Sequence, residues 1–291
     1  MNYYQNIINT ILLSATIIFP SAYSFAQETP SKDQQQVDKN DRDGYSLSIA
    51  LGYANIESPL YDEEKMDGWK LFIDGRYQWK GLFIELANDP ARDKNLPAAG
   101  YNFYTTEHWN LDFIVAAVTP GTEFNYEIGG ETKKISRGST RGTGIRAQGS
   151  WGNSILQLVA LPYFHEDLPS DSAVDYASLW LGHRWQIRNW SLNGLVGAVY
   201  KSSGLIDYQF GVPASEADGT LWSYEPSSGI DYTAYIDLSY PISKNILFQI
   251  YSRHTQYSDQ TLDSPLIELA RRWENRPEKE QEFGILLNYV F

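Results

Sequence analysis

Cysteine is absent from the 291-residue sequence, which excludes disulfide scaffolds, thiolate metal sites and cysteine nucleophiles. Long apolar runs are also missing, because no uncharged run of apolar residues reaches the roughly 18 residues that a transmembrane helix requires. Lysine and arginine are scarce, with 23 such residues against 36 aspartates and glutamates, and the net charge is -13. Since nucleic-acid binding depends on clustered cations, no nucleic-acid partner is expected.

Aromatic residues, in contrast, are abundant: 21 Tyr, 12 Phe and 9 Trp make up 14% of the chain. So many large rings are atypical of a disordered protein, which lacks the apolar residues to build a core. The composition therefore predicts a folded chain that is neither disordered nor a bundle of membrane helices.

The N-terminal part of the sequence predicts an export signal and a polar arm. A short apolar block precedes small residues that end at Ala26, so we expect a signal peptide over 1–26, cleaved between Ala26 and Gln27. A retained anchor helix is the alternative, although the block is too short to span a bilayer alone. Residues 27–43 are polar and of low complexity, which predicts a flexible periplasmic arm ahead of a domain over 44–291.

Apolar and polar residues alternate along the rest of the chain. In the first segment Tyr45, Leu51 and Tyr53 share one face, while serine, alanine and glycine occupy the other. Such a period of two is typical of a strand with two different faces. The small faces also carry charges of both signs, as a wet lumen would, and aromatic residues gather at segment ends, where headgroups lie. These two features favour a transmembrane barrel over a soluble sandwich.

Twelve segments show this alternation. They cover 44–55, 68–79, 81–87, 99–106, 109–118, 143–151, 154–162, 174–187, 190–201, 229–240, 246–257 and 282–291. Their connections are alternately long and short, as in outer-membrane barrels with short periplasmic turns. The predicted fold class is all-β: a transmembrane antiparallel up-and-down β-barrel of about 12 strands in the bacterial outer membrane. A register error in the weak fourth segment would reduce the number to ten.

The last segment has hydrophobic residues at alternate positions: Phe283, Ile285, Leu287, Tyr289 and Phe291. An amphipathic strand that ends on an aromatic residue resembles the C-terminal signal read by the barrel-assembly machinery. That machinery is therefore an expected partner, and outer-membrane lipid and lipopolysaccharide are expected around the barrel.

Three short motifs in the last third of the chain resemble a known family. Their residues are Asp207, Tyr208, Gly211, Val212, Glu216 and Ala217 with 224–226, then Asp263, Ser264 and Pro265, and finally the closing stretch 284–291. They are similar to stretches of the MipA/OmpV family of outer-membrane proteins, named for the MltA-interacting protein. Gln209 and Pro213 depart from the family's pattern.

The resemblance implies a barrel that, in the family's namesake, holds a lytic transglycosylase and a bifunctional penicillin-binding protein together. The expected function is therefore that of a scaffold for peptidoglycan-remodelling enzymes, with no catalytic activity, cofactor or metal site. Other members of the family have been associated with permeation of small solutes, so a porin is the alternative.

The four histidines limit the possible chemistry. Ser252 and His254 lie two residues apart on the lipid-facing side of their segment, which makes an outer-membrane lipid hydrolase a remote third hypothesis. The plainer interpretation is that the strand leaves the hydrocarbon there. His183 also has lipid-facing parity, which a β-bulge or a position near the lower interface explains.

Charged residues of the small faces are candidates for the lumen. They include Asp74, Arg76, Arg146, Arg184, Asp231, Asp237 and Arg253. Opposite charges on neighbouring strands pair across the interior, and a barrel of about twelve strands is narrow enough to be filled by side chains or to leave a small path. The sequence is compatible with internal ion pairs and with solute selection.

Overall fold

The computed structural model describes residues 43–60, 67–86, 97–128, 131–164, 174–274 and 276–291. The signal peptide, its cleavage site at Ala26 and Gln27, and the arm up to residue 42 lie outside these ranges and remain predictions. Among the described residues, no helix combines the length and apolarity needed to cross a membrane.

Fourteen strands and three helices make up the described fold. The strands are β1 (Gly44–Glu57), β2 (Gly68–Trp79), β3 (Leu82–Leu86), β4 (Ala98–Thr105), β5 (Trp109–Thr119), β6 (Thr122–Ile128), β7 (Glu131–Arg137), β8 (Thr140–Trp151), β9 (Ser154–Phe164), β10 (Tyr176–Ile187), β11 (Trp190–Lys201), β12 (Gly229–Pro241), β13 (Ile246–Gln256) and β14 (Glu280–Val290). The helices are α1 (Ser203–Phe210), α2 (Asp259–Leu262) and α3 (Pro265–Glu274).

Twelve of the strands close an antiparallel barrel in which sequence neighbours are spatial neighbours. The hairpin β6–β7 stands apart, inserted between β5 and β8, and β1 pairs with β14 to close the ring. The predicted fold class and the number of twelve barrel strands are confirmed. The weak fourth segment contains a β-bulge between Asn102 and Tyr104, which interrupts the alternation that the sequence pattern relies on.

The barrel carries its large apolar side chains on the outside. Trp69 is 76% exposed and Ile84 is 62% exposed, whereas the small Ala54 and the inward Leu161 are fully buried. A soluble protein would show the reverse arrangement, since water disfavours contiguous exposed apolar surface. The outer wall is therefore the surface that contacts lipid.

Aromatic side chains form a belt at each end of this wall. Ring pairs mark the belt at the end with the short turns: Trp109 with Trp151 at 5.1 Å and Trp190 with Tyr240 at 4.9 Å between centroids. Tyr53, at the other end, is also exposed. Amphipathic rings favour the headgroup level, so the two belts delimit the hydrocarbon region.

The short connections are tight turns at one end of the barrel, which is the periplasmic end in bacterial outer-membrane barrels. In the turn after β2, Lys80 and Gly81 have φ values of 51° and 84°. Positive φ at both central residues matches the right-handed twist of the flanking strands. The long connections carry the helices and the hairpin β6–β7, at the opposite end.

Candidate functional site

The inner wall holds a buried ion-pair network, here named the Arg146 cluster (Arg76, Glu85, Asp112 and Arg146). Arg146 is 1% exposed, and its Nη1 lies 2.6 Å from Glu85 Oε1 while its Nη2 lies 2.8 Å from Asp112 Oδ2. Arg76 Nη1 donates to the other Glu85 oxygen at 3.0 Å. Because two guanidinium groups face two carboxylates, the cluster is neutral and links β2, β3, β5 and β8.

A second network lies on the opposite strands. Asn193 Nδ2 donates to Asp237 Oδ1 at 3.0 Å, and Asn288 Nδ2 donates to Gln249 Oε1 at 3.0 Å. Arg184 Nε donates to Asn193 Oδ1 at 3.3 Å. These polar groups are buried or half-buried, so the hydrogen bonds replace the water that they lose.

The remaining charges that the sequence assigns to the lumen also lie on the inner face. Lys201 Nζ pairs with Asp231 Oδ2 at 2.9 Å, close to the long-loop end. Asp74 is half-buried on β2, and Arg253 stands in register with Glu282 of β14. The expected residues are thus distributed over several strands rather than gathered at one site.

Large side chains occupy much of the interior between these networks. Trp180, Tyr176 and Tyr251 are each at most 2% exposed. Trp180 lies directly over Gly197 of β11, where an added Cβ would come within 2.3 Å of the indole. Large side chains therefore fill part of the interior in the described barrel, while inward charged residues such as Asp74 and Arg253 stay half-buried.

The long-loop end carries a small folded unit, here named the cap, which consists of β6–β7, α1–α3 and residues 211–228. Its apolar cluster contains Leu60, Phe124, Tyr126, Ile135, Ile206, Phe210, Val212, Leu221, Tyr257, Leu262, Leu266, Ile267 and Leu269. Helix α1 joins the cap to the barrel: Leu205 packs in the barrel's own cluster, while Ile206 and Phe210 pack in that of the cap. The cap is therefore fixed to the barrel wall by shared packing.

The first family motif supplies the end of α1 and the segment after it. Gly211 N–H donates to the Asp207 carbonyl at 2.8 Å, and an added Cβ on Gly211 would lie 2.1 Å from Asp207 Oδ1. Only glycine leaves room for the carboxylate there. Burial raises the pKa of Asp207, the nearby Glu225 raises it further, and Arg137 opposes both.

The same motif binds the hairpin β6–β7 through charged hydrogen bonds. Arg137 donates to Glu216 through both terminal nitrogens, at 3.1 and 2.6 Å, and to the Gly211 carbonyl at 3.0 Å. Asp218 accepts from Lys133 at 2.9 Å and from Tyr126 at 3.0 Å. The Lys133 hydrogen bond is the main cause that holds the pKa of Asp218 well below its usual range.

The other motif residues complete the cap. Ser264 Oγ donates to the Phe210 carbonyl at 2.6 Å and accepts from Leu266 N–H at 3.3 Å, so that it ties the start of α3 to the end of α1. Pro265 is the first residue of α3, where a missing N–H costs nothing. Asp263 ends α2, and the remaining motif residues, Tyr208, Val212 and Ala217, lie within the cap as well.

The comparison with family models decides the identity. The model described as "MltA-interacting protein MipA" matches residues 49–291. The chain belongs to this family. The MipA match covers the barrel almost entirely and includes the whole cap, and with the lipid-facing outer wall it makes the chain an outer-membrane β-barrel. The first two family motifs thus coincide with the contacts that assemble the cap, whereas the third, 284–291, lies in and directly after β14.

Solved outer-membrane barrels are similar to this MipA-family chain at low identity. OmpT of Vibrio cholerae aligns at 9% identity and a TM-score of 0.38, over 75% of this chain and 63% of OmpT. The NanC porin aligns at 10% identity and 0.42 over 84% and 98%, and DcaP of Acinetobacter baumannii at 10% and 0.41 over 85% and 96%. A search of curated proteins found no sequence match.

The histidine candidates of the sequence occupy the outer wall. Ser252 and His254 face Ile236 and Ala234 across the β12–β13 pair. The strand register continues without a shift at His183, so the bulge interpretation is wrong there, and the position near the short-turn end explains the residue. Within the described residues, no group of three or more potential metal-ligating side chains occurs.

The sequence pattern missed a serine–histidine contact. Ser154 Oγ lies 2.7 Å from His183 Nδ1, and the imidazole packs 4.7 Å from the Trp185 ring centroid. The two residues are register partners on β9 and β10, 29 positions apart in sequence. At the lower aromatic belt, this contact gives two polar side chains a hydrogen bond where they leave the hydrocarbon.

Proposed function

We propose that this MipA-family barrel is an outer-membrane scaffold for peptidoglycan-remodelling enzymes, first of all a lytic transglycosylase and with it a penicillin-binding protein. The observation that carries the proposal is an interior partly filled by large buried side chains, beneath a cap that packs against the barrel wall. A barrel whose interior is occupied by its own side chains is suited to anchor a partner at the membrane rather than to conduct solutes. The family description, MltA-interacting protein, supports an enzyme of this class as the partner.

The partner would meet the periplasmic end of the barrel. That end offers the tight turns, such as Lys80–Gly81, and the polar arm that the sequence predicts over 27–43. A polar arm can fold on a partner and contact a large surface, at the expense of ordering entropy. We assign the main contact to the arm and a smaller one to the turns.

Capture of purified partners tests the proposal. The mature protein is immobilised in nanodiscs and exposed to a purified lytic transglycosylase and a penicillin-binding protein. A form that lacks 28–42 should lose most of the captured enzyme, whereas Trp222→Ser on the exposed cap should retain it. Equal capture by the deletion form would remove the arm from the proposal, and absence of capture by every form would overturn the scaffold function.

The alternative is a channel for small, cationic solutes, and one observation favours it: inward charged residues such as Asp74 and Arg253 are only half-buried. Planar-bilayer recording separates the two functions. The scaffold proposal expects no stable conductance steps from the capped barrel. Reproducible steps with cation selectivity would favour the channel.

The third hypothesis, a lipid hydrolase, depends on Ser252 and His254. Release of fatty acid by the purified protein, lost in Ser252→Ala, would support it. If the scaffold proposal is right, fatty-acid release should stay at the same background level in the wild type and the variant.

A further inference from the structure

The described part of the outer wall contains a concave apolar region. It is a groove of about 620 Å³ across β2, β3, β4, β5 and β8. Its lining consists of Tyr77, Trp79, Leu82, Phe83, Ile84, Ala99, Gly100, Tyr101, Phe113, Ile114, Val115 and Thr143. The volume lies within the range of about 300–1,000 Å³ that is usual for sites of small ligands.

The strand register explains why the wall is hollow at this place. One row of outward residues runs from Ile84 over Ala99 to Val115, and the next runs from Leu82 over Tyr101 to Phe113. The large members stand out from the wall, whereas Ala99 contributes a single methyl group. Because Ala99 is so small, the rings and branched chains around it become the walls of a groove with a low floor.

The lower end of the groove reaches the periplasmic belt and carries a cation. Trp79 and Leu82 flank the tight turn, and Lys80 Nζ lies 4.9 Å from the centroid of the Trp79 ring. Lys80 N–H donates to Asp43 Oδ1 at 2.7 Å, which fixes the turn beside the start of β1. An ammonium group at headgroup level thus stands next to an apolar groove that extends into the hydrocarbon region.

We propose that the groove is a binding site for one phospholipid of the periplasmic leaflet. An acyl chain occupies the groove over Ala99, and the headgroup phosphate pairs with the Lys80 ammonium. The arrangement of a hydrocarbon slot with a cation at its interfacial end is complementary to a lipid that carries an anionic phosphate above its chains. The smooth parts of the wall contact exchanging lipids, whereas the groove retains a defined one.

Native mass spectrometry of the mature protein with added dioleoyl phosphatidylglycerol or phosphatidylethanolamine tests the site. The wild type should retain one phospholipid at a concentration where further lipids dissociate. Ala99→Phe fills the groove with another apolar side chain and should weaken retention by about tenfold. Ala234→Phe is the matched control, because Ala234 is an outward alanine on β12, away from the groove; it should bind as the wild type does.

The role of the phosphate has its own pair of variants. Lys80→Gln should weaken phospholipid retention but leave binding of dioleoylglycerol, which lacks phosphate, unchanged. Lys244→Gln in another periplasmic turn should change neither. Equal retention by Ala99→Phe and Ala234→Phe would overturn the proposal. It would also be overturned if the wild type formed a two-chain assembly instead of a lipid adduct, and if Ala99→Phe abolished that assembly.

Discussion

Residues of the first family motif and their partners in and around the hairpin β6–β7 act through the space that they leave and the charges that they carry. Gly211 admits the Asp207 carboxylate, Arg137 connects Glu216 with the hairpin β6–β7, and Lys133 neutralises Asp218. None of these contacts can be read from the alternation of apolar and polar residues, because the partners lie in separate loops. The sequence identified the motif residues through family resemblance, but their role in the cap needed the folded chain.

Gly211→Ala should destabilise the cap. The new Cβ would lie 2.1 Å from Asp207 Oδ1 and 2.4 Å from its carbonyl oxygen, so the end of α1 must shift. Overpacking of this kind costs about 1–3 kcal/mol. Hydrogen exchange of the cap amides measures the loss, and the exposed Ser215→Ala in the same segment is the control. Unchanged exchange in Gly211→Ala would show that the carboxylate moves without cost.

Asp218 and Asp207 should give the cap opposite responses to pH. The pKa of Asp218 is lowered in the folded state. Its contribution to the stability of the cap is therefore complete above its ordinary pKa of about 3.9 and is lost as pH falls further. The pKa of Asp207 is raised in the folded state. Its contribution to the stability of the cap is therefore complete below the ordinary pKa of an aspartate and is lost as pH rises through the folded-state pKa.

Limited proteolysis of the cap between pH 7 and pH 3 checks these signs. Asp218→Asn should remove the loss of protection on acidification, while Asp207→Asn should increase protection at neutral pH. Identical pH profiles for the wild type and both variants would contradict the assignment.

The helices and strands differ in how well the sequence predicts them. The barrel strands are long and two-faced, so the alternation found them with small errors at their ends, such as a start at Glu280 instead of 282. The twelve-segment pattern predicts a long connection over 119–142, whereas the structure forms the hairpin β6–β7 there. Phe124 and Tyr126 alternate ahead of the 129–130 Gly-Gly pair, which is a recognised hairpin signal. Helix α1 has eight residues and apolar residues on two sides, because it packs against both barrel and cap, so it lacks a clear helical period.

Ser264→Ala should weaken the junction between α1 and α3. The change removes the hydrogen bond to the Phe210 carbonyl and the acceptor for Leu266 N–H. Loss of such a capping residue costs about 0.5–2 kcal/mol, and a buried carbonyl without its donor adds to this. Urea unfolding in lipid vesicles, followed by the release of α3 to a protease, measures the effect; Ser227→Ala, outside this junction, should have none.

The molecule as a whole depends on a polar interior that is internally neutralised. The Arg146 cluster joins four strands, and the outward residues meet lipid instead of a core. Parity along a strand predicts which residues share a face, except at irregularities such as the bulge in β4. It could not predict which of them pair, because pairing depends on the stagger of strands that are far apart in the chain.

Arg146→Met should destabilise the barrel by about 3–5 kcal/mol, since Asp112 and one Glu85 oxygen would remain buried without their guanidinium partner. Equilibrium urea unfolding in lipid vesicles measures this. The double variant Arg146→Met with Asp112→Asn should recover part of the loss, because it removes the stranded charge. A single variant within about 0.5 kcal/mol of the wild type would indicate a solvated interior.

The seam between β1 and β14 makes closure of the barrel depend on β14. Phe291 N–H donates to the Leu47 carbonyl at 3.0 Å at one end of the seam, and Ser58 Oγ donates to Glu280 at 2.7 Å at the other. Strand β1 therefore has β2 as one neighbour and acquires its second neighbour only from β14. A polypeptide released before residue 280 would keep an open, adhesive edge along β1, which makes premature termination a route to aggregation in the cell envelope.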